Sequence, residues 1–287
     1  MGVLDTLKKD MRAKITLLIF ISQSPDHFLP CTSIILQNKL GLPKSCLAFD
    51  STLGCSGFTY GLGIAASLMK TANIKKALLL VGDISSSSLS RSDKSSYPLF
   101  GDAGCAIALE LNGNDTWYFN MFSDGAGHEA IIIPDGGMRN PISDETYQMV
   151  EVEKGISRNK RHLWLKGLDV FSFSVKEVPV SVNELLNHFL IPIDSIDYFV
   201  MHQANLLMNE TIRKKLKIIP EKVPYCLKNY GNTSSASIPL TMVTELKEKL
   251  SEIGQKKLLL SGFGAGLSWS NVILNTNGLI IPDLIEI

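Results

Sequence analysis

The chain lacks the paired cysteines that mark either a disulfide framework or a metal site. Its five cysteines stand at positions 31, 46, 55, 105 and 226, and no two of them form a Cys-x-x-Cys pair. No pair of histidines or cluster of carboxylates has metal-ligand spacing, and no Walker sequence is present. The odd number and the scatter of the cysteines favour a reducing cytoplasm. The sequence therefore indicates neither a metal nor a bound nucleotide.

An excess of charge is also missing. The 28 Lys and Arg residues balance 28 Asp and Glu residues, so no basic surplus points to nucleic acid. The apolar run Ile15–Ile21 is far shorter than the roughly 20 residues that span a bilayer, and no secretory leader is visible. We therefore expect no nucleic-acid partner and no membrane segment.

What the chain does contain is short apolar runs that alternate with helical periods, which is typical of buried sheets with helices on their faces. The predicted elements of the first half are the strands Ile15–Ile21, Ser45–Phe49, Ala77–Val81 and Gly104–Leu111 and the helices Cys31–Lys39 and Cys55–Lys70. Those of the second half are the strands Trp117–Phe122, Ile196–Val200, Val223–Cys226, Lys257–Ser261 and Trp269–Leu274 and the helices Gly167–Phe189, Asn205–Leu216 and Ser234–Lys249. The pattern predicts a layered α/β fold of two related halves, residues 1–113 and 114–287.

The front of the chain differs from this pattern. Residues 1–14 are predicted to form part of a helix that leads directly into the first strand. Because an α/β domain usually begins with a strand, we expect an element to be missing there. Further along, the most charged run, residues 151–162, is predicted to be a solvated surface loop.

The most informative residue is Cys55, at a predicted corner between a strand and a helix and flanked by Gly54 and Gly57. Free N–H groups and the helix dipole favour negative charge there, which predicts a thiol with a lowered pKa and nucleophilic character. The alternative is an inert core cysteine, which is the ordinary environment of this residue type.

Two other polar residues stand at corners of the same kind. His202 follows an apolar strand, and Asn232 precedes a predicted helix. Each has an ordinary interpretation, a buried histidine for one and a turn or N-cap residue for the other. Together with a thiol, they supply the parts of a nucleophilic site, provided that the helix starts of the two halves face each other.

Glycine-rich segments accompany these residues. Gly262–Gly266 follows a predicted strand, and its backbone N–H groups are suited to an oxyanion hole with the amide of Cys55, although a hairpin connection explains the loop equally well. The Gly61-Leu-Gly63 segment resembles a dinucleotide fingerprint but falls inside a helix, which favours close helix packing instead. Gly101–Gly104 is interpreted as a structural turn.

These motifs together resemble the ketoacyl synthase III family of the thiolase superfamily. The matching segments, in family order over nearly the whole chain, are Ala48–Asp50, Cys55–Tyr60, Phe100–Gly104, His202–Asn205, Tyr230–Ser237 and the glycine-rich loop before Trp269. The resemblance implies a thiolase-like α-β-α-β-α fold that lacks the N-terminal strand and helix of the family.

The resemblance also implies a catalytic triad and a reaction. The triad falls on Cys55, His202 and Asn232, and the oxyanion hole on the amides of Cys55 and Ala265. Cys55 is then acylated by a thioester, and a malonyl thioester is decarboxylated and condensed with the acyl group. The implied substrates are thioesters of coenzyme A or acyl carrier protein, with no bound cofactor, and a homodimer is expected. The further substrate-binding residues implied are Leu29, Asn205, Phe263, Gly264 and Gly266.

The chain departs from the family pattern in its docking residue and in its loop. An arginine that the family often uses for carrier-protein docking is replaced by Leu207, so Arg213, Lys214 and Lys215 are proposed to supply positive charge instead, unless they simply form an exposed helix face. Ala265 replaces the middle glycine of the glycine-rich loop, which keeps the N–H group but alters the fit around the acyl group.

Two alternatives to a condensing enzyme stay open. One is an acyltransferase of the same fold that delivers the acyl group to an oxygen or nitrogen acceptor and does not require Asn232. The other is a non-catalytic partner subunit or inactive remnant, which the altered front end favours and the three intact site residues oppose. The loops Asp26–Pro30 and Ser85–Leu99 are expected to shape the acyl pocket, and the strand Ala77–Val81 is one candidate for pairing across a dimer, although it suits the inside of a sheet equally well.

Overall fold

A computed structural model describes residues 9–113 and 115–286. The elements of the first half are, in chain order, α1 (Lys9–Arg12), β1 (Leu17–Ile21), α2 (Thr32–Lys39), β2 (Leu47–Ser51), α3 (Gly57–Thr71), β3 (Lys76–Asp83) and β4 (Ala103–Glu110). Of the helix predicted for residues 1–14, the structure shows Lys9–Arg12, and residues 13–14 form a turn. Residues 1–8 lie outside the described residues.

The second half contains more short elements. In chain order they are β5 (Tyr118–Ser123), β6 (Ile131–Ile132), β7 (Val150–Glu153), β8 (Ile156–Arg158), β9 (Trp164–Leu165), α4 (Gly167–His188), β10 (Tyr198–Met201), α5 (Leu206–Lys215), α6 (Leu227–Tyr230), α7 (Ser237–Glu245), α8 (Lys247–Ser251), β11 (Gln255–Gly264) and β12 (Ser268–Asn277). Six 3₁₀ segments, at Ser85–Ser88, Gly125–Ala130, Asp144–Tyr147, Ile193–Ser195, Pro220–Lys222 and Ser234–Ala236, complete the described helices.

Two four-stranded sheets form the frame of the molecule. The first has the order β2-β1-β3-β4, with β2, β1 and β3 parallel and β4 antiparallel. The second has the order β10-β11-β12-β5, with a parallel pair β10-β11 and antiparallel pairs beyond it. The boundary between residues 113 and 114 stays a prediction.

Helices fill the space between the sheets and cover their outer faces. Helix α3 contacts β1 and β3 of the first sheet and β11 and β12 of the second, while α7 contacts β4 and β10. Outside this central layer, α2 packs on the first sheet and α4 on the second. The predicted α-β-α-β-α layering is confirmed, and the central layer places the N-terminal ends of α3 and α7 at the junction of the two sheets.

The alternation of side chains along β1 explains why this strand is buried on both faces. Leu17, Ile19 and Ile21 face the central helices, whereas Leu18 packs into a separate cluster with Leu78 on the outer side. All four strand residues are completely buried. The apolar run Ile15–Ile21, which is too short to span a membrane, therefore lies at the centre of the core.

The two glycines in the middle of α3 allow that helix to lie close to both sheets. A Cβ on Gly61 would stand 2.5 Å from the Cδ1 of Ile21, and one on Gly63 would stand 1.9 Å from the Cε of Met121. The predicted role of these glycines in close helix packing is confirmed, and the dinucleotide interpretation is excluded because they lie inside the helix.

Several predicted elements are corrected by the structure. Val223–Cys226 is not a strand, since Pro224 has no N–H group to give to a ladder and the N–H of Cys226 donates to the side chain of Gln203 instead. The predicted helix Ser234–Lys249 is a 3₁₀ turn followed by α7 and α8, because Ser234 has a φ of 50° and Leu246 a φ of −122°, both outside the helical range.

Two further predictions also change. The segment 151–162, predicted to be a solvated surface loop, belongs up to residue 158 to the hairpin of β7 and β8. The strand β7 is exposed, as predicted, but Arg158 is buried against Asp93. Ala77–Val81 lies inside β3, which is paired on both sides, and it therefore cannot form a strand pair across a dimer.

Among the described residues, no helix is both long and apolar enough to cross a membrane.

Candidate active site

Cys55 lies in the turn between β2 and α3. The turn is tight, with the N–H of Gly57 donating to the carbonyl oxygen of Gly54 at 2.6 Å, and Ser56 is the N-cap of α3. The sequence pattern predicted that Cys55 is the first residue of this helix. In the structure it precedes the helix by two residues. Its sulfur stands 4.0 Å from the hydroxyl oxygen of Ser234, which brings two segments together that are 179 residues apart.

The prediction of a lowered thiol pKa is wrong. Burial raises the pKa of Cys55 to about 11, and the negative charge of Asp83 acts in the same direction. The hydroxyl of Ser234 and the backbone N–H groups of Ala265 and Cys55 oppose this change without overcoming it. The thiol is consequently protonated at neutral pH, because its desolvation and the nearby carboxylate outweigh the groups that favour the thiolate.

His202 follows β10 directly and is only 2 % exposed. Its Nδ1 stands 2.8 Å from the hydroxyl oxygen of Ser237, at the start of α7, and its ring meets the ring of Phe263 edge to face. Burial lowers the pKa of His202 to about 3, so that the imidazole is neutral under ordinary conditions. With Nδ1 bonded to Ser237, Nε2 is the nitrogen that remains for a ligand.

Asn232 is held by bonds on both its backbone and its side chain. Its N–H donates to the carbonyl of Leu99, and its own carbonyl accepts from the N–H of Gly101. The side-chain oxygen accepts from the N–H of Ser234 at 2.9 Å, the local bond expected of a turn asparagine. Because the oxygen is occupied, the amide NH₂ group is the part of Asn232 that is left to donate.

The predicted structural turn at Gly101–Gly104 positions this asparagine. A Cβ on Gly101 would lie 2.1 Å from the carbonyl oxygen of Tyr230, so only glycine permits the backbones to approach this closely. Asp102 accepts from the backbone and the hydroxyl of Ser86 and therefore fixes the 3₁₀ turn after β3. The segment acts through backbone placement, in agreement with its interpretation as a turn.

A single cleft of about 1490 Å³ brings the candidate residues together. Its walls include the predicted residues Cys55, His202, Asn232, Asn205, Phe263, Gly264 and Ala265. Thiol, imidazole and carboxamide, which are far apart in the sequence, therefore face one space. Parts of the loops Asp26–Pro30 and Ser85–Leu99 line the same cleft, among them His27, Phe28, Ser85 and Leu99.

Two backbone N–H groups approach the sulfur in this cleft, those of Cys55 itself and of Ala265. They are the pair that the sequence predicted for an oxyanion hole. The glycine-rich loop is shorter than predicted, since Gly262–Gly264 completes β11 and only residues 265–267 connect it to β12. This ending of the strand presents the backbone of Gly264 and Ala265 directly to Cys55.

Other predicted residues do not face the cleft. Leu29 is 86 % exposed and lies outside its wall, although the adjacent Phe28 lines it. Gly266 is also outside the wall, and its φ of 139° shows that it serves the turn. Asn205 lines the cleft and at the same time caps α5, since its side chain accepts from the N–H of Met208.

Of the three proposed docking residues, two are bonded within the chain. Arg213 forms a 2.7 Å ion pair with Glu210 and donates to the carbonyl of Ile218, and Lys215 donates to the carbonyl of Val175. Lys214 has no ion-pair partner among the described residues. Within those residues there is likewise no group of three or more His, Cys, Asp or Glu side chains that could hold a metal.

Sequence reasoning missed Asp83, Ser234 and Ser237. Asp83 ends an apolar strand, which is the same signal that singled out His202, but a carboxylate at that place has no obvious role beside a thiol. The two serines follow Asn232 in a serine-rich segment, which was interpreted as an ordinary turn or N-cap and therefore did not indicate a role in the site.

Comparison with known proteins agrees with this geometry. Residues 49–125 match the family described as 3-Oxoacyl-[acyl-carrier-protein (ACP)] synthase III, and residues 188–276 match its C-terminal part. The chain is 32 % identical to a beta-ketoacyl-[acyl-carrier-protein] synthase III of Streptococcus mutans, covering 93 % of this chain and 80 % of the relative. A relative of the same name from Porphyra umbilicalis is 36 % identical, covering 91 % of this chain and 77 % of the relative.

The chain belongs to the 3-oxoacyl-[acyl-carrier-protein] synthase III family. A crystal structure of a 3-oxoacyl-(acyl-carrier protein) synthase from Burkholderia xenovorans LB400 superposes with a TM-score of 0.89 and 40 % sequence identity, over 97 % of this chain and 78 % of that one. The segment of this chain that matches the first family model, residues 49–125, contains Cys55. The segment that matches the C-terminal model, residues 188–276, contains His202, Asn232 and Ala265.

Proposed function

We propose that the protein is a condensing enzyme that joins an acyl group to a malonyl thioester with loss of carbon dioxide. The observation that carries the proposal is that Cys55, His202 and Asn232 line one cleft, with the amide NH₂ of Asn232 left over for a substrate. The family membership supports the same reaction.

In the first half-reaction, the sulfur of Cys55 attacks the carbonyl carbon of an acyl thioester. The new S–C bond forms as the thiolate of coenzyme A leaves, and the proton of the Cys55 thiol passes to that leaving group. Negative charge that develops on the carbonyl oxygen is met by the N–H groups of Cys55 and Ala265. The product is an acyl-enzyme and free coenzyme A.

In the second half-reaction, a malonyl thioester on acyl carrier protein enters the same cleft. Its terminal C–C bond breaks, carbon dioxide leaves, and the electron pair of that bond becomes an enolate on the thioester carbonyl. The amide of Asn232 donates a hydrogen bond to the enolate oxygen. His202 donates a second one in the tautomer with its proton on Nε2, in which the hydroxyl of Ser237 turns from the carbonyl of Ser234 to donate to Nδ1. The carbon of the enolate then attacks the carbonyl carbon of acyl-Cys55, the C–S bond to the enzyme breaks, and the thiolate of Cys55 takes a proton from water.

The substrates are accordingly thioesters of coenzyme A or acyl carrier protein, and the chemistry needs no resident cofactor. We infer that Lys214 contributes to carrier-protein docking, since Arg213 and Lys215 are engaged within the chain. We also infer a homodimer, and β2 is suited to the contact because it is an edge strand with a half-exposed Leu47. Five free thiols favour the cytoplasm as the place of the reaction.

Incubation with acyl-CoA thioesters of several chain lengths, followed by intact-protein mass spectrometry, tests the first step. We expect an acyl adduct on Cys55 that is lost in Cys55→Ala. The control is Cys46→Ala, which removes another partly exposed cysteine that does not line the cleft. Absence of an adduct at every chain length would favour an inactive or partner subunit.

Addition of malonyl carrier protein to the acylated enzyme tests the second step. We expect release of one carbon dioxide and one 3-oxoacyl thioester for each acyl group consumed. Transfer of the acyl group to an oxygen or nitrogen acceptor without carbon dioxide release would show the alternative acyltransferase and would contradict the proposal.

A further inference from the structure

A buried carboxylate lies beside the nucleophile, and the reaction as described has no use for it. Asp83 is the last residue of β3, is 5 % exposed and lines the cleft that contains Cys55. None of the ion pairs among the described residues includes it. A buried charge without a cation is costly unless several hydrogen bonds compensate it, so the partners of this carboxylate should reveal its role.

The two oxygens of Asp83 bond to different parts of the site. Oδ1 accepts from the backbone N–H of Gln23 at 2.6 Å and from the hydroxyl of Ser22 at 3.2 Å. Oδ2 accepts from the hydroxyl of Ser235 at 2.8 Å and from its backbone N–H at 3.3 Å. One carboxylate therefore joins the turn after β1 to the loop of the second half that carries Asn232.

Each side of this junction leads to a reacting group. Gln23 lies against the turn of the nucleophile, since a Cβ on Gly54 would stand 2.3 Å from its Oε1. On the other side, Ser235 adjoins Ser234, whose N–H bonds to the side chain of Asn232 and whose hydroxyl is 4.0 Å from the sulfur of Cys55. The positions of thiol and carboxamide thus depend on the same carboxylate.

We propose that Asp83 is a positioning residue of the condensing site, which clamps Ser235 to the turn after β1 and thereby sets the place of Asn232 relative to Cys55. The proposal rests on the proposed function of the cleft. It also explains why the thiol is protonated at rest, because the charge of Asp83, after burial, is the second cause that raises the pKa of Cys55.

The test uses Asp83→Asn in the full chain. The amide oxygen can still accept from Gln23, but the NH₂ group cannot accept from Ser235, so one side of the clamp is lost. We expect the rate of malonyl thioester decarboxylation to fall about 10- to 100-fold, as displacements of the order of 1 Å do in active sites, with a much smaller change in KM. The matched control is Asp197→Asn, an exposed carboxylate that accepts from the N–H of Lys257.

A second measurement follows the reactivity of Cys55, which should increase in Asp83→Asn although the decarboxylation rate falls. Loss of the negative charge favours the thiolate, so the pH at which iodoacetamide alkylates Cys55 should move downwards in Asp83→Asn and stay in place in the control. The other ionisable groups on the wall of the cleft are unchanged in both variants, namely Asp26, His27, Asp135, Tyr147, Arg161, His162 and His202.

Unfolding is distinguished by mapping the alkylated peptides, because buried Cys226 should remain unmodified in an intact fold. If Asp83→Asn exposes Cys226, Ser235→Ala tests the clamp alone: the decarboxylation rate should fall while the pH profile of Cys55 stays unchanged. An unchanged rate in either folded variant, or an unchanged profile in folded Asp83→Asn, would overturn the proposal. If the wild type releases no carbon dioxide, the proposed function fails, whereas the alkylation profile still tests the link between Asp83 and Cys55.

Discussion

The backbone of Gly264 is in direct contact with the side chain of Cys55. A Cβ built on this glycine would stand 2.6 Å from the Cβ of the cysteine and 2.9 Å from its sulfur, closer than side-chain atoms approach one another. The end of β11 therefore forms one wall of the nucleophile's environment, and this wall also carries the N–H of Ala265 to the sulfur. Any side chain at this position would displace either the sulfur or the strand.

Gly264→Ala should therefore slow the acylation of Cys55. A shift of the sulfur by about 1 Å relative to the two N–H groups is expected to reduce the acylation rate about 100-fold. Stopped-flow or quenched mass spectrometry with acyl-CoA measures this rate. Gly125→Ala is the control, since a Cβ there meets no atom within 4 Å. Equal acylation rates in both variants would show that the contact does not matter.

Asn232→Asp should separate the two half-reactions. The carboxylate retains the oxygen that accepts from Ser234 but replaces the donating NH₂ group with an acceptor, so it repels the enolate. We expect decarboxylation to fall about 100- to 1000-fold, the usual cost of losing one oxyanion donor. Acylation of Cys55, measured by mass, should change far less. A parallel loss in both steps would contradict the assignment of Asn232 to the enolate.

The sequence predicted the layers of this fold because the strands have a simple signal. β1, β3 and β11 are apolar runs buried on both faces, and the helices between them are long enough to show their period. The prediction failed at Val223–Cys226 and at the helix after Asn232. At these two places a bond to Gln203 and a positive φ at Ser234 override the local preference. Such long-range bonds are not visible in a short window of sequence.

The site was predicted by residue type but not by its electrostatics. Cys55, His202 and Asn232 were placed at corners, and the structure brings all three to one cleft. The sign of the Cys55 pKa shift was wrong because the helix dipole was considered without the burial of the sulfur or the charge of Asp83. Both effects depend on tertiary packing, which sequence spacing does not reveal.

His202 should make the protein less stable in acid. Its pKa is about 3 when folded, against an ordinary value of about 6.5, so below pH 6.5 the unfolded chain binds one more proton than the folded one. This contributes a loss of unfolding free energy of about 1.4 kcal/mol for each pH unit between 6 and 4. Urea unfolding at several pH values gives the slope of the unfolding free energy against pH. In His202→Gln this slope should be smaller by the amount that corresponds to one bound proton. An unchanged slope would mean that His202 titrates alike in both states.

The ion pair of Arg158 with Asp93 is buried and should be important for stability. The two groups are 2.7 Å apart, with side chains 8 % and 0 % exposed, and the hydroxyls of Ser95 and Ser96 also donate to the carboxylate. Arg158→Met leaves this charge without its cation and is expected to cost about 3–5 kcal/mol of unfolding free energy.

The control for that measurement is Lys76→Met, which removes one partner of the exposed pair with Glu110. Surface pairs of this kind contribute about 0–1 kcal/mol, so urea unfolding should show a small change for Lys76→Met and a large one for Arg158→Met. Similar values for the two variants would show that burial does not distinguish the two pairs.

Lys214→Glu should weaken the use of carrier-protein substrates without affecting the chemistry. The residue lies in the last turn of α5, where Arg213 is already paired with Glu210. Since one exposed charge contributes about 1 kcal/mol to an encounter, we expect KM for malonyl carrier protein to rise about fivefold or more on charge reversal. KM for the same malonyl group on coenzyme A should stay unchanged, because that substrate lacks the protein surface.

Two comparisons make this last result specific. Lys247→Glu reverses a charge on α8 that is paired with Asp283 and should alter neither KM. Higher salt should raise KM for the carrier protein in the wild type and have a smaller effect in Lys214→Glu, because the attraction between the exposed charges is screened. If both substrates lose equally in Lys214→Glu, the residue acts on the cleft or on the fold. In that case the docking surface of the carrier protein lies elsewhere than α5.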